Sequence, residues 1–559
     1  MHKLLIIAIF ILFVFSVSAQ NNEDIIKKQL QERGEVYISI SEITANKNKE
    51  SLRFFDYDKS ENNRLYFYAN KKAINTIKTK SIDIRLEAVP SLLNTVAMLD
   101  NAELFTSNWD AYPTYEQYDS IMHKFATDYP QICKYHNLGS LQSGRKIMAI
   151  QLGDSIDFDI NEPQFFYTST MHGDETVGYI MSLRLIEYLL QNYNSNARVK
   201  YLMDNVDIWI NPLANPDGTY YTGNSSVNGA KRYNINNVDI NRNFPDPEDG
   251  SHPDGNTYQA ETQIFMNFAD SMHFTMSANM HSGAEVVNYP WDTWSQLPAD
   301  DDWWVKVSKT FADSAQYNSP NGYMTMFGTG YTNGYQWYSV WGGRQDYMNY
   351  FKHCREVTLE LSNIKLLPES QLQDHWNYLR PSLLNYLQEV TYGIRGKITD
   401  SITGQPLHAK VEILNHDIDS SLIYSSDSGY YFRPIFTGTY DVKYSAKGYK
   451  SKIFSISAIN NSAIIKDVQL ATGPDAINAN DNYISISLFP NPVINILNIK
   501  SDLAISSYKI YNTLGSLIIH ENVNNSSHVN INVSDCISGV YFIQIETLKG
   551  SITHKFLKN

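Results

Sequence analysis

QFFYTSTMHGDETVGYIMSLRLIEYLLQNY, residues 164–193, is the stretch that indicates the fold. Its opening run, residues 164–170, is rich in aromatic and β-branched side chains, which predicts a strand. Residues 176–193 carry apolar side chains at helical spacing, which predicts a helix. In an open α/β sheet, ligands bind outside the carboxyl ends of the strands. The turn MHGDETVG (171–178) is therefore a candidate place for chemistry.

Two side chains in that turn have metal-binding chemistry. His172 and Glu175 offer an imidazole nitrogen and a carboxylate oxygen, and both atom types are zinc ligands. A single His-x-x-Glu pair occurs often by chance. A metal site therefore requires a third ligand, a base and a substrate anchor elsewhere in the chain.

Length, charge and cysteine content exclude several classes of protein. The 559 residues correspond to roughly three or four domains at about 100–200 residues each. A net charge of -14 argues against nucleic acid as a partner, because phosphate binding needs a basic surface. With 3 cysteines there is no disulfide framework. Cys133 and Cys354 could pair in an oxidising compartment or could be two buried thiols.

The first residues have the pattern of a secretory signal peptide, which we place at residues 1–19. A basic start is followed by the apolar run Leu4–Phe15 and by small residues at Val17–Ala19. This run is too short to cross a bilayer, which needs about 20 apolar residues. No other segment is long and apolar enough to span. We therefore expect a secreted or cell-surface protein without a transmembrane span.

Composition and periodicity divide the rest of the chain. Residues 20–105 predict a small α+β accessory or pro-region, and residues 106–392 alternate strands with helices. That alternation predicts one α/β domain with a mixed central sheet flanked by helices. Two small all-β, sandwich-like domains follow at 393–472 and 485–559, joined by a linker at 473–484. The strands predicted in the α/β domain are 146–152, 164–170, 206–210, 274–280 and 357–361.

His281 is the candidate third ligand because it ends an apolar run at a predicted strand terminus. His172, Glu175 and His281 together would leave a fourth zinc position open, as catalytic zinc sites do. The alternative for His281 alone is a structural histidine at a strand end.

The predicted strand 357–361 offers a base. Glu356, Thr358 and Glu360 fall on one face by alternation, and Glu360 lies deeper in the run. Buried acidic side chains are costly unless they are paired or bound to something, so the alternative for Glu360 is a buried ion pair. Arg232 and Arg242 each present a planar fork that can take a carboxylate, although an isolated arginine is more often a surface cation or a structural partner.

From about residue 110 to 390 the chain resembles the zinc metallocarboxypeptidases, and within them the regulatory (N/E-type) branch. The strings that carry the resemblance, in order along the chain, are HGDE (172–175), NPDG (215–218), KRYNINNVDINRNFPD (231–246), MHSGAEVVNYPWD (280–292), TNGYQWYSVWGGRQD (332–346) and EVTLELS (356–362).

The resemblance implies a role for each matching residue. It implies one Zn²⁺ bound by His172, Glu175 and His281, with Asp239 orienting the first histidine. Glu360 would be the general acid/base, and Arg232 would polarise the scissile carbonyl. The substrate-binding residues it implies are Asn241 and Arg242 on the terminal carboxylate, Tyr338 as a mobile cover, and Asp292 and Gln345 in the specificity pocket.

The function implied is that of a secreted carboxypeptidase that removes single residues from peptide or protein C-termini. Asp292 implies a preference for C-terminal Lys or Arg. Arg344 replaces the usual methionine of the branch, so it could neutralise Asp292 if it pointed into the pocket, or change nothing if it pointed to solvent. The alternatives are an amidase or deacylase of the same fold acting on cell-wall or glutamyl peptides, and a non-catalytic surface binding protein.

The two β-rich regions carry resemblances of their own. Residues 393–472 resemble the transthyretin-like domain that follows the catalytic domain in the same branch. Residues 485–559, with LFPNPVINILNI and ISGVYFIQIETLKG, resemble the C-terminal sorting domain of type IX secretion cargo. The second resemblance implies a secretion machinery as partner.

Overall fold

The computed structural model describes residues 22–52, 55–100, 109–156, 161–320, 322–473, 486–513, 515–547 and 550–559. The predicted signal peptide and nearly all of the predicted linker lie outside these ranges. Within them, no helix has the length and apolar content needed to cross a membrane.

The N-terminal region forms a small four-stranded sheet with helices on one face, and a helical stretch over residues 22–32 precedes it. The strands run in the order β2–β3–β1–β4. Alternate residues of β1 and β3 pack with the helices in a separate apolar core. The elements are β1 (Val36–Ser41), α1 (Glu42–Lys47), β2 (Asp56–Glu61), β3 (Arg64–Ala69), α2 (Lys71–Lys80) and β4 (Arg85–Leu86).

The next region is built on an eight-stranded sheet in the order β11–β10–β12–β9–β7–β8–β6–β5. Its strands are β5 (Cys133–Ser140), β6 (Lys146–Leu152), β7 (Gln164–Ser169), β8 (Asp207–Asn211), β9 (Phe274–His281), β10 (Ala284–Tyr289), β11 (Tyr331–Asn333) and β12 (Arg355–Ser362). Its helices are α3 (Tyr115–Asp128), α4 (Val177–Asn192), α5 (Ala197–Met203), α6 (Pro216–Thr219), α7 (Ala260–Ser271), α8 (Asp301–Tyr317), α9 (Gly334–Trp337), α10 (Arg344–Phe351) and α11 (Leu372–Glu389).

Parallel and antiparallel pairs both occur in this sheet, so the predicted mixed sheet is confirmed. β8, β7, β9 and β12 run parallel to one another, and β10 runs parallel to β11. The pairs β5–β6, β6–β8 and β10–β12 are antiparallel. The central strands β9 and β12 are buried along their whole length, which explains their nearly continuous apolar character. Because β7, β9 and β12 are parallel neighbours, their carboxyl ends meet at one edge of the sheet, and His172, His281 and Glu360 lie at or near this edge.

Cys133 and Cys354 are both buried free thiols, so the expectation of two buried thiols is correct and that of a disulfide is wrong. Cys354 lies against Ser277, with Sγ and Oγ 3.2 Å apart. Burial raises the pKa of the Cys133 thiol to about 12. These cysteines are inert core residues.

Residues 393–470 form two four-stranded sheets, as a β-sandwich requires. The strands are β13 (Gly393–Asp400), β14 (Lys410–Ile413), β15 (Ile423–Tyr424), β16 (Tyr430–Arg433), β17 (Gly438–Ser445), β18 (Lys452–Ala458), β19 (Ala463–Ile465) and β20 (Val468–Leu470). A buried ion cluster joins this sandwich to the α/β region, because Asp300 accepts from both Arg355 and Arg433, at 2.7 and 2.8 Å.

The C-terminal residues form a separate compact unit. It is an all-antiparallel sheet of five strands around its own apolar core. These strands are β21 (Ile486–Phe489), β22 (Ile496–Asn512), β23 (Leu517–Asn532), β24 (Gly539–Thr547) and β25 (Gly550–Lys558). The prediction of an all-β C-terminal domain is confirmed.

Candidate active site

Three metal-ligand side chains converge where the sequence predicts them. His172 Nδ1 lies 2.9 Å from Glu175 Oε1, His281 Nδ1 lies 2.8 Å from Glu175 Oε2, and the two Nδ1 atoms are 3.1 Å apart. All three side chains are buried. Within the described ranges, this is the single group of His, Cys, Asp and Glu close enough to share an ion.

The second nitrogen of each imidazole ring decides whether Nδ1 can bind a metal. His172 Nε2 lies 3.1 Å from Asp239 Oδ1, and His281 Nε2 lies 2.7 Å from Asn279 Nδ2. Asn279 Oδ1 is buried without a partner among the described residues, and turning the amide over would place this acceptor on His281 Nε2. In each ring, a proton held on Nε2 by such an acceptor leaves the lone pair on Nδ1. Two lone pairs only 3.1 Å apart repel each other unless a cation lies between them. The donor set of two neutral nitrogens and one carboxylate therefore fits zinc.

Glu175 is kept ionised by Lys365 and by its two histidine partners. Although burial opposes ionisation, His172, Lys365 and His281 hold the pKa of Glu175 well below its usual range. Lys365 Nζ donates to Glu175 Oε1 at 2.7 Å and to the Ser282 carbonyl at 2.6 Å. Lys365 lies in a loop after β12 and belongs to no apolar or motif pattern, so the sequence does not identify it as a site residue.

Arg232 is fixed beside the metal ligands by Asp239. Arg232 Nε donates to Asp239 Oδ2 at 2.9 Å, while the opposite oxygen of Asp239 meets His172. One guanidinium nitrogen of Arg232 lies 3.5 Å from Glu175. Despite its burial, Asp239 stays ionised because Arg232 and His172 hold its pKa well below the usual range. One carboxylate therefore orients both the predicted first ligand and the predicted carbonyl-polarising cation.

Asn241 and Arg242 lie on a short 3₁₀ turn, Ile240–Arg242, at the same edge of the sheet. The Asn241 side-chain carbonyl accepts from the Arg344 backbone N–H at 2.9 Å. The NH₂ group of Asn241 therefore points away from Arg344 and can donate to another group. Both side chains line the cavity that also contains His172, Glu175 and Glu360. An amide donor and a guanidinium on one side of a metal site can bind a carboxylate.

Glu360 projects from β12 into the same cavity and is 8% exposed. Burial, followed by the neighbouring Glu175 carboxylate, raises the pKa of Glu360 to about 8. Its Oε2 is buried without a hydrogen-bond partner among the described residues. A group in this state can both accept and release a proton near neutral pH.

Asp292 and Gln345, the predicted specificity residues, contact each other, and Asp292 lines the same cavity as the metal ligands. Asp292 Oδ1 accepts from Gln345 Nε2 and from Asn288 Nδ2, both at 3.0 Å. A Cβ added at Gly334 would lie 1.8 Å from Asp292 Oδ1, so a larger residue at position 334 would displace the carboxylate. Burial raises the pKa of Asp292 to about 7.

Arg344 points neither into this pocket nor to solvent, so both orientations considered from the sequence are wrong. Its guanidinium donates to Glu356 Oε2 at 2.9 Å and lies over the Phe166 and Phe265 rings. Arg344 and Glu356 are both fully buried. The arginine that replaces the usual methionine is therefore neutralised by Glu356.

Tyr338 follows α9 and is half-buried over the site. Its ring lies 4.9 Å from the Trp337 ring and 4.7 Å from that of Tyr57, a residue of the N-terminal region. All the site residues predicted from the sequence thus gather around one cavity or directly support its walls.

Two regions of the chain are similar to known protein families. A family model described as zinc carboxypeptidase matches residues 118–382, and one described as a secretion system C-terminal sorting domain matches residues 487–559. The crystal structure of a carboxypeptidase A from Helicoverpa armigera aligns with a TM-score of 0.47 and 17% identity over 64% of this chain and 98% of that one.

Curated relatives are more similar in sequence. Carboxypeptidase D of Homo sapiens is 32% identical over 369 residues, which cover 62% of this chain and 26% of that protein. The chain thus matches about a quarter of the length of this relative. Carboxypeptidase M of Mus musculus is 31% identical over 398 residues, which cover 66% of this chain and 87% of that protein. With such identity across nearly all of the second relative, the chain belongs to the zinc carboxypeptidase family.

Proposed function

We propose that the protein is an exported zinc-dependent carboxypeptidase that removes single residues from peptide or protein C-termini, with a preference for Lys and Arg. The observation that carries this proposal is the convergence of three metal ligands with the Asn241 and Arg242 side chains in one cavity. A metal site alone would fit many hydrolases. Asn241 and Arg242, which we call the clamp, can bind a carboxylate beside the metal site and thereby select free C-termini.

His172, Glu175 and His281 would hold the zinc ion. Bound there, zinc supplies a Lewis acid that lowers the pKa of water and polarises a carbonyl group. Glu360 takes the proton of the attacking water and later delivers it to the leaving amine. Proton transfer of this kind contributes about 10²–10⁴-fold to the rate.

Arg232 stabilises the negative charge that develops on the carbonyl oxygen during attack. Its position is set before the substrate arrives, because Asp239 holds the guanidinium at 2.8–2.9 Å. Preorganised donors of this type are typically worth about 10²–10³-fold in kcat. Arg232 is therefore assigned to the transition state and Arg242 to substrate binding.

The clamp accounts for exopeptidase action. Asn241 and Arg242 bind the terminal carboxylate through charge-assisted hydrogen bonds. An internal peptide bond offers the clamp no carboxylate. Tyr338 covers the bound residue and helps to exclude water from it.

The preference for Lys and Arg follows from Asp292. Its carboxylate is held by Gln345 and Asn288, and Arg344 is engaged by Glu356. The pocket thus contains an acid that an ammonium or guanidinium group can neutralise. The same acid disfavours an amidase of glutamyl peptides, whose substrates are anionic.

We further propose that residues 485–559 direct export through a secretion machinery, with release or surface attachment outside the cell. The family match over residues 487–559 supports this. A chain lacking residues 485–559 should accumulate in the periplasm of the producing cell. Normal export of that truncated chain would contradict the proposal.

A C-terminal peptide library with mass-spectrometric readout tests the enzymatic proposal. Single-residue shortening is expected, fastest for peptides ending in Lys or Arg, lost on chelation and restored by zinc. Glu360→Gln, which keeps the metal ligands, is the matched control. Cleavage at internal bonds, or equal shortening by the control, would contradict the proposal.

A further inference from the structure

We propose that Phe327 and Trp337 form a site that binds an apolar side chain of the substrate, about three residues before the bond that is cut. The proposal rests on the proposed function, because this site adjoins the cavity that contains the metal ligands and the clamp. To the preference for a C-terminal Lys or Arg it adds a second preference, for peptides with an apolar residue at this upstream position.

Three aromatic rings lead from this cavity to the surface. Trp337 and Tyr338 line the cavity together with the metal ligands and Glu360. The centre of the Trp337 ring lies 4.9 Å from that of Tyr338 and 6.1 Å from that of Phe327, and both contacts are edge-to-face. Phe327 is 51% exposed, so the series of rings ends in solvent. A peptide that leaves the cavity along these rings passes Phe327.

The backbone of Phe327 is strained. Its φ of 59° and ψ of 14° lie in the left-handed region, which bulky side chains avoid and which Gly or Asn adopts at less cost. Single exposed apolar residues are common on protein surfaces, but in Phe327 exposure and strain coincide. Strained residues cluster at sites that bind ligands. A ring that contacts the substrate accounts for both features.

Hydrogen bonds to α8 hold the loop 322–330, which carries Phe327. Gln316 Nε2, on α8, donates to the carbonyl of Met324 at 2.7 Å and to that of Thr329 at 3.2 Å. These two carbonyls lie on either side of Phe327 in the sequence. The ring is therefore held in place before a peptide arrives, and binding does not have to order the loop.

The length of the series of rings sets the position of the residue that is bound. The clamp fixes the C-terminal carboxylate, and the metal ligands fix the bond that is cut. Upstream of this bond, the peptide passes the rings of Tyr338, Trp337 and Phe327, whose centres are separated by steps of 4.9 and 6.1 Å. An extended peptide advances roughly 3.3–3.6 Å per residue, so about three residues span these steps. The third residue before the bond therefore meets Phe327.

The chemistry of the two outer rings selects an apolar side chain. A leucine or phenylalanine placed against them gains dispersion contacts and loses surface to water. A serine or aspartate in the same place has little apolar surface to bury. Covering about half of a leucine side chain corresponds to about fivefold in affinity.

Calorimetric titration of two unlabelled peptides tests this site without depending on turnover. Both titrations use the full, zinc-loaded chain carrying Glu360→Gln. Ser-Leu-Ala-Gly-Lys places leucine third before the bond between glycine and lysine, and Ser-Ser-Ala-Gly-Lys places serine there. The leucine peptide is expected to bind about fivefold more tightly than the serine peptide.

Adding Phe327→Asn removes the ring and introduces a residue that tolerates the left-handed conformation. It should reduce the difference between the two peptides to less than about twofold, because the apolar contact is lost. The urea midpoint of unfolding should stay at or above that of the parent, because the backbone strain is relieved. A ring that only supported the fold would lower this midpoint and leave the difference between the peptides unchanged. Phe327→Gly should give the same result and is the second variant if Phe327→Asn folds poorly.

Tyr201→Asn is the matched control. Tyr201 is 43% exposed and lies on α5, which leads into the amino end of β8, at the edge of the sheet opposite the metal ligands. This variant should keep the difference between the two peptides.

The apolar site would be overturned if the parent bound both peptides equally or neither, or if the difference survived both substitutions of Phe327. Dimers of the parent that Phe327→Asn dissociates, seen by sedimentation velocity, would assign the ring to self-association and would overturn it too. If the leucine peptide loses its advantage in Phe327→Asn but the chain with Glu360 intact hydrolyses neither peptide, the apolar site stands. In that case the proposed carboxypeptidase activity fails.

Discussion

The Arg344 guanidinium and the Glu356 carboxylate form a fully buried ion pair at 2.9 Å, at the opposite end of β12 from Glu360. Ser277 Oγ also donates to Glu356, at 2.7 Å. Arg344 is the first residue of α10 and directly precedes the predicted specificity residue Gln345, yet its guanidinium pairs with Glu356 and packs on the Phe166 and Phe265 rings. The pair is therefore structural and leaves the chemistry of the pocket to Asp292.

Replacing Arg344 by methionine, the usual residue of the branch, should destabilise this chain. Glu356 would be left buried without its cation, which typically costs about 3–5 kcal/mol. Urea denaturation should show this loss for Arg344→Met and recovery of most of it when Glu356→Gln is added. The ratio of kcat/KM for peptides ending in Lys and in Leu should stay the same. A change in that ratio with unchanged stability would mean that Arg344 acts in the pocket.

Asp292→Asn should remove the preference for basic residues. Loss of one partner of a buried charge pair costs about 2–5 kcal/mol, which is at least roughly 30-fold in kcat/KM for peptides ending in Lys or Arg. Peptides ending in Leu should be cleaved as before. Asp302→Asn, on the exposed first turn of α8, is the control. An equal loss for Lys and Leu peptides would show that Asp292 supports the fold and does not select the substrate.

The preference for basic residues should depend on pH. Burial raises the pKa of Asp292 to about 7, so the carboxyl is neutral below this pH and ionised above it. Only the ionised form attracts a substrate ammonium group. The Lys-to-Leu ratio of kcat/KM should therefore fall as the pH decreases, by up to about tenfold per unit below 7. A ratio that is constant between pH 5.5 and 8, or rises on acidification, would refute this assignment.

Asp239→Asn should weaken zinc binding. Asp239 accepts from His172 and holds Arg232, and loss of such a supporting group typically reduces metal affinity about 10–100-fold. Competition with a chromophoric chelator measures this directly. Asp119→Asn, which removes a surface partner of Lys146, is the control. Unchanged affinity would mean that His172 is oriented by the fold alone.

The sequence predicts the central part of the fold because its central strands are buried on both faces. The apolar runs at 146–152 and 274–280 appear as β6 and β9 with ends that differ by at most one residue. α8 and β10 were not predicted, because α8 mixes acidic and aromatic residues and β10 directly follows β9 at Ser282–Gly283. The candidate zinc ligands, base and clamp could be proposed from the sequence because they stand in short strings that resemble those of the family, and the structure places them around one cavity.

The contacts of the N-terminal region could not be predicted. Asp56 and Asp58 lie in the unremarkable string DYDKSE, and the residues they meet are far away in the chain. The orientation of Arg344 could not be predicted either, because nothing in the sequence near Arg344 or Glu356 indicates that the two side chains pair. Long-range pairs of single side chains leave no local pattern in the sequence.

The central claim is that Glu360 performs the proton transfers at a zinc-dependent carboxypeptidase site. The most direct measurement compares the Glu360→Gln chain with its parent for zinc content and for release of lysine from a peptide ending in Lys. We predict equal zinc content and a loss of at least 10²-fold in kcat. Substantial release of lysine by Glu360→Gln with its zinc retained would contradict the account.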